Sequence, residues 1–174
     1  IQDLKNQYYD ETDIQKKRQI ENQRSKLLKK YQNENIFNFE INFYEVFSNG
    51  GFDLIIGNPP YEILKSKQKN EKERLSKIQL MNPAFEGELN YFKLFISKSI
   101  TLLKKNALLN FIFQYSFLGD KTCSKIRQKC LIDNKVLEIQ AFPERDDANK
   151  RVFESAKMSV CTLLIQNKKE FFLN

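Results

Sequence analysis

The order of apolar and polar positions predicts strands and helices in alternation after residue 36. Leu54, Ile55 and Ile56 form a continuous apolar run, which is typical of a strand covered on both faces of a parallel sheet. The same criteria predict further strands at residues 107–113, 136–142 and 159–165, and helices at residues 91–105 and 120–133. Strands that alternate with helices indicate the α/β class.

The first 35 residues differ from the rest because they are polar and strongly charged. Their sparse apolar positions lie near helical spacing, which predicts a helical segment of one long helix or two. A basic arm that contacts DNA and a solvated helix are both compatible with this pattern. Residues 37–43 then alternate phenylalanine or isoleucine with polar residues at period two, which predicts a half-buried strand.

A stiff loop follows the strand predicted at residues 52–56. Gly57 permits a sharp exit from the strand, and Pro59 and Pro60 restrict their own backbone and that of the residue before each. Open α/β sheets bind ligands at this end of a strand. The Asn58 side-chain oxygen and the Pro59 carbonyl are then two fixed acceptors, and the Tyr61 ring lies beside them. Two acceptors and a flat ring suit a planar group that carries an amino substituent.

The sequence Asn58-Pro59-Pro60-Tyr61 resembles the signature of amino-methyltransferases that use S-adenosylmethionine. The chain is most similar to adenine-specific DNA methyltransferases of restriction–modification systems, particularly the type IIG-like enzymes, over about residues 37–168. This resemblance implies an α/β fold with part of the seven-stranded, Rossmann-like methyltransferase sheet. It also implies methyl transfer to the exocyclic amino group of adenine in double-stranded DNA.

The resemblance assigns roles to five residues. Asn58 and the Pro59 carbonyl would accept hydrogen bonds from the adenine amino group, and Pro60 would border the methionine end of S-adenosylmethionine. Tyr61 and Phe153, which lies in a Val-Phe motif, would sandwich a base extruded from the duplex. No metal is required for this chemistry.

The sequence departs from the family pattern in three places. It has only 5 glycines and no Gly-x-Gly, so the part of the cofactor pocket that binds the nucleoside is expected upstream of Ile1. Asn106, which tolerates the left-handed conformation, stands in the turn that the family makes with Lys-Pro-Gly-Gly. Gln114-Tyr115 replaces a common Pro-Asn.

We therefore interpret residues 36–174 as the carboxyl-terminal, catalytic part of a methyltransferase domain. Alone, residues 1–174 are expected to be inactive and to bind S-adenosylmethionine weakly or not at all. The strand at residues 52–56 would then lie at the edge of the sheet, where residues 1–35 or self-association would cover it. An upstream chain or a specificity domain is a further expected partner.

The interval at residues 62–88 is polar and contains six basic residues. A long polar segment beside a candidate active site is typical of a functional lid or of disorder. We expect a DNA-side loop that orders on binding, and an inert insertion is the alternative.

Composition narrows the choice of function. The chain has 29 Lys and Arg against 22 Asp and Glu, a net charge of +7, which favours an anionic partner such as nucleic acid, although a lysine-coated surface would give the same balance. The absence of histidine excludes histidine-based triads and histidine-ligated metals within this chain. The three cysteines form no Cys-x-x-Cys pair and are expected to be reduced, as in a cytoplasmic prokaryotic protein without a membrane span.

Two other functions remain open from the sequence. The Asn-Pro-Pro-Tyr tetrapeptide also occurs in protein-glutamine and RNA amino-methyltransferases. A non-catalytic, basic DNA-binding fragment is the second alternative.

Overall fold

A computed structural model describes residues 2–32, 37, 39–64 and 69–168 of the chain. The chain divides into two compact units, Ile1–Asn49 and Gly50–Asn174. The sequence analysis placed the start of the catalytic part at residue 36. That domain boundary stays a prediction.

The first unit begins with two helices, α1 (Gln2–Asp10) and α2 (Ile14–Gln32), as one of the two predicted arrangements has it. The turn between them supplies the start of α2, because the Asp13 carboxylate accepts a hydrogen bond from the Gln15 backbone N–H at 2.7 Å. The Lys17 ammonium lies 5.2 Å from the centroid of the Tyr8 ring, which joins the two helices.

The strand predicted at residues 37–43 is wrong, because the structure has two short helices there, α3 (Phe39–Asn42) and α4 (Tyr44–Ser48). Phe39, Phe43 and Phe47 are spaced four residues apart, so the alternating pattern also places them on one helical face. The Phe39 and Phe43 rings stack with centroids 6.2 Å apart, and Phe47 is buried. Helical packing of these rings replaces the pairing that a strand would need.

The second unit contains a four-stranded sheet made of β1 (Phe52–Gly57), β2 (Leu103–Gln114), β3 (Asn134–Phe142) and β4 (Val160–Asn167). Their order in the sheet is β1-β2-β4-β3. β1 pairs with β2 in parallel, whereas β4 is antiparallel to both β2 and β3. All four predicted strands of this region are confirmed, and β1 lies at the edge of the described sheet.

Two helices cover one face of the sheet. α6 (Tyr91–Leu102) makes the crossover from β1 to β2, and α7 (Ser124–Leu131) makes the crossover from β2 to β3. The Phe92 and Phe113 rings stack at 5.4 Å across this interface. The core beneath the two helices includes Ile96, Ile100, Leu109, Phe111, Ile126, Leu163 and Ile165. The helix predicted to end at residue 105 ends at Leu102, because β2 begins at Leu103.

The opposite face of β1 is exposed. Ile55 packs on the core, but Leu54 and Ile56, which point the other way, are 48% and 69% exposed. The prediction that this strand is covered on both faces is therefore wrong for the described residues. The reason is that α6 and α7 lie on the side of the sheet that carries Ile55.

Three residues, Asn106, Asp120 and Gly51, determine turns in the second unit. Asn106 has a φ of 65°, the left-handed conformation expected for it. The Asp120 carboxylate accepts a hydrogen bond from the Thr122 backbone N–H at 2.8 Å and so begins the 3₁₀ turn before α7. Gly51 has a φ of 113°, and a Cβ there would lie 2.5 Å from the Leu102 carbonyl oxygen, so the turn into β1 requires glycine.

The three cysteines are free and buried. Burial raises the pKa of the Cys130 thiol and of the Cys161 thiol to about 12, so both are protonated near neutral pH. This agrees with their predicted role as reduced, apolar residues. No helix in the described part of the chain combines the length and the hydropathy needed to cross a membrane.

The interval at residues 62–88 is not a structureless loop where the structure describes it. It contains α5 (Lys69–Ser76) and a 3₁₀ helix (Gln79–Phe85). Residues 64–89, which we call the thumb, form a second small core together with Leu94 of α6. The buried members of this core are Leu64, Met81, Ala84, Leu89 and Leu94. Because these apolar residues are widely spaced among charged ones, the polar composition concealed them, and residues 65–68 lie outside the described residues.

Lys93 of α6 is a fully buried lysine, with a relative exposure of 0%. Its ammonium donates to the carbonyls of Glu86 at 2.9 Å, Glu88 at 3.0 Å and Thr122 at 2.6 Å. An ammonium has three donors, and three carbonyl oxygens use all of them. Lys93 therefore ties the end of the thumb to the segment before α7.

We expect Lys93→Met to destabilise the second unit by about 2–4 kcal/mol, because three carbonyls lose a buried, charged donor at once. Urea unfolding, followed by circular dichroism, measures the change. Lys121→Met is the matched control, since Lys121 is exposed. A shift of the unfolding midpoint no larger than that of the control would contradict the role given to Lys93.

Candidate active site

The candidate site lies at one edge of the sheet, the edge that is formed by strand ends and not by the outermost strand. Because β1, β2 and β3 run in the same direction and β4 runs against them, the carboxyl ends of the first three strands meet the amino end of β4. The loop at residues 58–61 leaves β1 at this edge, where open α/β sheets bind ligands.

Gly57 ends β1 opposite Phe111 of β2. A Cβ on Gly57 would lie 2.9 Å from the Phe111 ring, so the glycine is required by this close approach. Its φ lies outside the left-handed region, so what the structure shows to need glycine here is the space beside Phe111. The loop therefore begins directly against the core of the sheet.

The first three residues of the loop differ in exposure. Asn58 and Pro60 are exposed, whereas Pro59 between them is buried. Neither the Asn58 side chain nor the Pro59 carbonyl has a hydrogen-bond partner among the residues that the structure describes. Neither acceptor is engaged by a described residue, and the buried proline restricts the backbone between them.

Tyr61 is fastened to β2 at two points. Its hydroxyl donates to the Ile112 carbonyl at 3.3 Å, and its own carbonyl accepts from the Gln114 side-chain amide at 3.3 Å. The half-buried ring packs against the main core. These contacts fix the ring and the end of the loop relative to the sheet.

The Tyr61 hydroxyl is unsuited to acid–base chemistry near neutral pH. Burial, and to a smaller extent the nearby Cys161, raises the pKa of Tyr61 to about 12. Its proton is also engaged by the Ile112 carbonyl. What the residue offers at this site is a fixed aromatic surface.

Phe153 lies on the connection between β3 and β4, which starts and ends at the same edge of the sheet. The Ser159 hydroxyl closes this connection by donating to the Pro143 carbonyl at 2.7 Å, and the Tyr115 N–H donates to the Ser159 carbonyl at 3.1 Å. Phe153 is half-buried. The fold thus brings the segment of Phe153 to the edge that carries residues 58–61, and no ring contact joins Phe153 to Tyr61 among the described residues.

Gln114 helps to position the loop, and this role was not predicted from the sequence. In the sequence, Gln114-Tyr115 is distinctive only as a departure from the family pattern. Its position at the end of a predicted strand could have suggested such a role. The hydrogen bond to Tyr61, however, depends on the pairing of β1 with β2.

The donor set at this edge suits an organic cofactor better than a metal. The described residues contain no cluster of three or more cysteine, aspartate or glutamate side chains that could hold a metal ion. Asn58 and Pro60 are exposed at this edge, so both are accessible to a small organic ligand. The chain has no Gly-x-Gly loop for the nucleoside end of S-adenosylmethionine, so the residues present could hold only part of that cofactor.

Comparison with known proteins agrees with this arrangement. The family model "Eco57I restriction-modification methylase" matches residues 3–148. The modification methylase CviBIII of Paramecium bursaria Chlorella virus NC1A is 29% identical over 142 residues, covering 80% of this chain and 32% of the relative. The type II restriction enzyme and methyltransferase RM.Eco57I of Escherichia coli is 29% identical over 132 residues, covering 75% of this chain and 12% of the relative.

Solved structures support the fold. A nuclease-deletion mutant of the type ISP restriction-modification enzyme LlaGI, in complex with a DNA substrate mimic, superposes with a TM-score of 0.54 at 16% identity. The match covers 76% of this chain and 14% of that one. The four-stranded sheet is therefore part of a Rossmann-like α/β fold.

The fold and the Asn-Pro-Pro-Tyr loop define a methyltransferase-type α/β domain. The chain belongs to the Eco57I restriction-modification methylase family, whose model covers most of its length. It spans less than a third of the length of the two relatives named above.

We expect Tyr61→Phe to lower the free energy of unfolding by about 0.5–1.5 kcal/mol at neutral pH, because the Ile112 carbonyl loses its donor. The folded-state pKa of Tyr61, about 12, exceeds the ordinary value of 10.0, so the neutral phenol is favoured in the folded state. This contribution is fully present below pH 10 and is lost as the pH rises towards 12.

The measurement is urea unfolding of both proteins at a pH below this window and at one inside it. The buried thiols titrate in the same range but are common to both proteins, so the difference between them reports on Tyr61. Tyr115→Phe, at an exposed ring, is the control. A wild-type advantage that persisted undiminished at high pH would contradict the prediction.

Proposed function

We propose that this chain carries the methyl-transfer part of an enzyme that methylates the exocyclic amino group of adenine in DNA with S-adenosylmethionine, within a restriction–modification system. The observation that carries the proposal is the loop at residues 58–61. Its two acceptors have no protein partner in the described part of the chain, and its tyrosine is fastened to the neighbouring strand. Membership of the Eco57I restriction-modification methylase family supports it.

Asn58 and Pro59 would act on the adenine amino group. The Asn58 side-chain oxygen and the Pro59 carbonyl would each accept one of its N–H bonds. Held in this way, the nitrogen lone pair is less conjugated with the purine ring and can attack a methyl group in line. Acceptors fixed in advance stabilise the positive charge that develops on the nitrogen without further reorganisation. The proton released after transfer would pass to water.

Tyr61 and Phe153 would hold the extruded base. An adenine amino group inside a duplex is paired and stacked, so the base must leave the helix to reach Asn58. The Tyr61 ring is held by the Ile112 carbonyl and the core, which would give the base a rigid surface on one side. Phe153, on the connection at the same edge, would close on the other side.

When bound, S-adenosylmethionine would supply an electrophilic methyl group. The bond from this methyl group to the sulfonium sulfur would break as the bond to the adenine nitrogen forms, and S-adenosylhomocysteine would be the leaving group. Pro60, which is exposed beside Asn58, would border the methionine end of the cofactor. The structural relative LlaGI is described in complex with a DNA substrate mimic, which supports DNA as the substrate here.

Transfer of labelled methyl groups tests the proposed function directly. The full product of the gene is incubated with labelled S-adenosylmethionine and with duplex DNA, RNA or peptides, and digestion of labelled DNA to nucleosides identifies the methylated base. Label in N6-methyladenine supports the proposal. Label only in RNA, in glutamine, or in no substrate would overturn it in favour of the alternative functions.

We expect Asn58→Ala to lower turnover by about 100-fold or more, as is typical when a positioned group that stabilises developing charge is removed. Asn58 is exposed, so thermal unfolding should be unchanged. Asn22→Ala, at an exposed position of α2, is the matched control and should retain full activity. Turnover of Asn58→Ala close to that of Asn22→Ala would remove Asn58 from the mechanism.

Tyr61→Ala and Phe153→Ala should each weaken capture of the extruded base by about 1–3 kcal/mol, the usual value of one stacking contact. The effect should shrink when the target adenine faces a mismatch, because extrusion then costs less. Fluorescence of 2-aminopurine at the target position measures extrusion, and Phe95→Ala, at a ring that is 45% exposed on α6, is the control. Normal extrusion by Phe153→Ala would show that Phe153 only packs within its own connection.

A further inference from the structure

We propose that α5 of the thumb, together with Lys77, which directly follows it, binds the phosphate backbone of the DNA beside the target base, through Lys72, Arg74 and Lys77. This inference rests on the proposed function, because it takes DNA as the substrate. It replaces the expected loop that orders on binding with a surface that is already folded.

The thumb is attached directly next to the active-site loop. The Tyr91 N–H donates to the Glu62 carbonyl at 3.0 Å, and the Leu64 N–H donates to the Leu89 carbonyl at 2.8 Å. Ile63 and Asn90 form an antiparallel bridge between these two bonds. This neck begins one residue after Tyr61, so the thumb and the candidate site form one connected structure.

The carboxyl-terminal end of the thumb, which leads back to the neck, is fixed as well. Besides the Lys93 ammonium, which binds the Glu86 and Glu88 carbonyls, the Glu86 carboxylate accepts from the Ser124 hydroxyl at 2.7 Å and from the Lys125 N–H at 2.8 Å. These two donors, the Lys125 N–H first, hold the pKa of Glu86 below its usual value, so the carboxylate stays charged. α7 follows β2 and therefore begins at the same edge of the sheet as the candidate site.

The exposed residues of α5, together with Lys77, include cations that have no ion-pair partner among the described residues. Residues 69–77 contain four basic residues against two acidic ones. Lys72, Arg74 and Lys77 are exposed, and none of the three forms an ion pair with a described carboxylate. Of the described side chains in α5, only Leu75 is half-buried, where it packs on the core of the thumb. The helix is thus held by one apolar contact and directs its cations to solvent.

DNA phosphates are the anions that this position would meet. An extruded nucleotide stays joined to its neighbours through the phosphates on either side, so the duplex must lie close to residues 58–61. Cations on a prefolded support lose little conformational entropy when they bind phosphates, and each neutralised phosphate releases counterions from the DNA. Such contacts position the duplex without reading its sequence.

The test is the salt dependence of DNA binding by the full gene product, measured by fluorescence anisotropy with a labelled duplex and without S-adenosylmethionine. The triple variant Lys72→Gln, Arg74→Gln, Lys77→Gln should reduce the slope of log K against log salt by about 0.9 for each phosphate that is no longer neutralised, about 3 in all. The control triple variant, Lys16→Gln, Arg18→Gln, Lys26→Gln, removes the same charge from exposed positions of α2.

A smaller slope for the α5 variant alone supports the proposal. An unchanged slope, or an equal reduction in both variants, overturns it. Thermal unfolding confirms that both variants are folded. Because the slope needs no turnover, failure of this surface is distinguishable from failure of the proposed function, which methyl transfer by the wild-type protein decides separately.

A crosslinking experiment gives a second, independent readout. The native cysteines are all buried, so Arg74→Cys introduces an accessible thiol for a photoreactive label. We expect the label at residue 74 to crosslink to duplex DNA and the same label at residue 18, in Arg18→Cys, to give none. Equal crosslinking from both positions, or none from residue 74, overturns the proposal.

Discussion

The parallel pairing of β1 with β2 is the constraint on which the candidate site depends. The register places Gly57 opposite Phe111, and the close approach of the two leaves room for no side chain at residue 57. The chain then continues along β2, so that the Tyr61 hydroxyl reaches the Ile112 carbonyl and the Tyr61 carbonyl reaches Gln114. A one-residue shift of register would turn the site away from these partners. The loop is therefore held by the neighbouring strand as well as by its prolines.

The same edge of the sheet is reinforced by a buried charge. Lys93 binds three carbonyls from the thumb and from the segment before α7, and Glu86 caps the start of α7 from the thumb. Burying an ammonium costs free energy that only full satisfaction of its donors offsets, so this arrangement tolerates little displacement. Its consequence is that the thumb is bonded to the starts of both α6 and α7.

Some predictions were wrong because the apolar pattern of a segment does not show which other residues the segment packs against. The phenylalanines of residues 37–43 fit both a period of two and a spacing of four, and ring packing along α3 and α4 decided between them. In the thumb, a few apolar residues such as Met81 and Leu89 form a core only because α6 lies beneath them. The run at Leu54–Ile56 is apolar throughout, yet only Ile55 faces the helices. In each case the outcome depends on packing against a particular partner, which the apolar pattern of the segment alone does not identify.

The sequence by itself determined the α/β class, the four strands after residue 50, the helices α6 and α7 between them and the Asn-Pro-Pro-Tyr loop at the end of β1. These features follow from local periodicity and from the fixed backbone of proline, which need no distant partner. Only the tertiary structure decided that Asn58 is exposed while Tyr61 is fastened, that Gln114 holds the loop, and that Lys93 locks the thumb beside it. The last three depend on hydrogen bonds between residues far apart in the chain, because a donor finds its acceptor only after the strands have paired and the helices have packed.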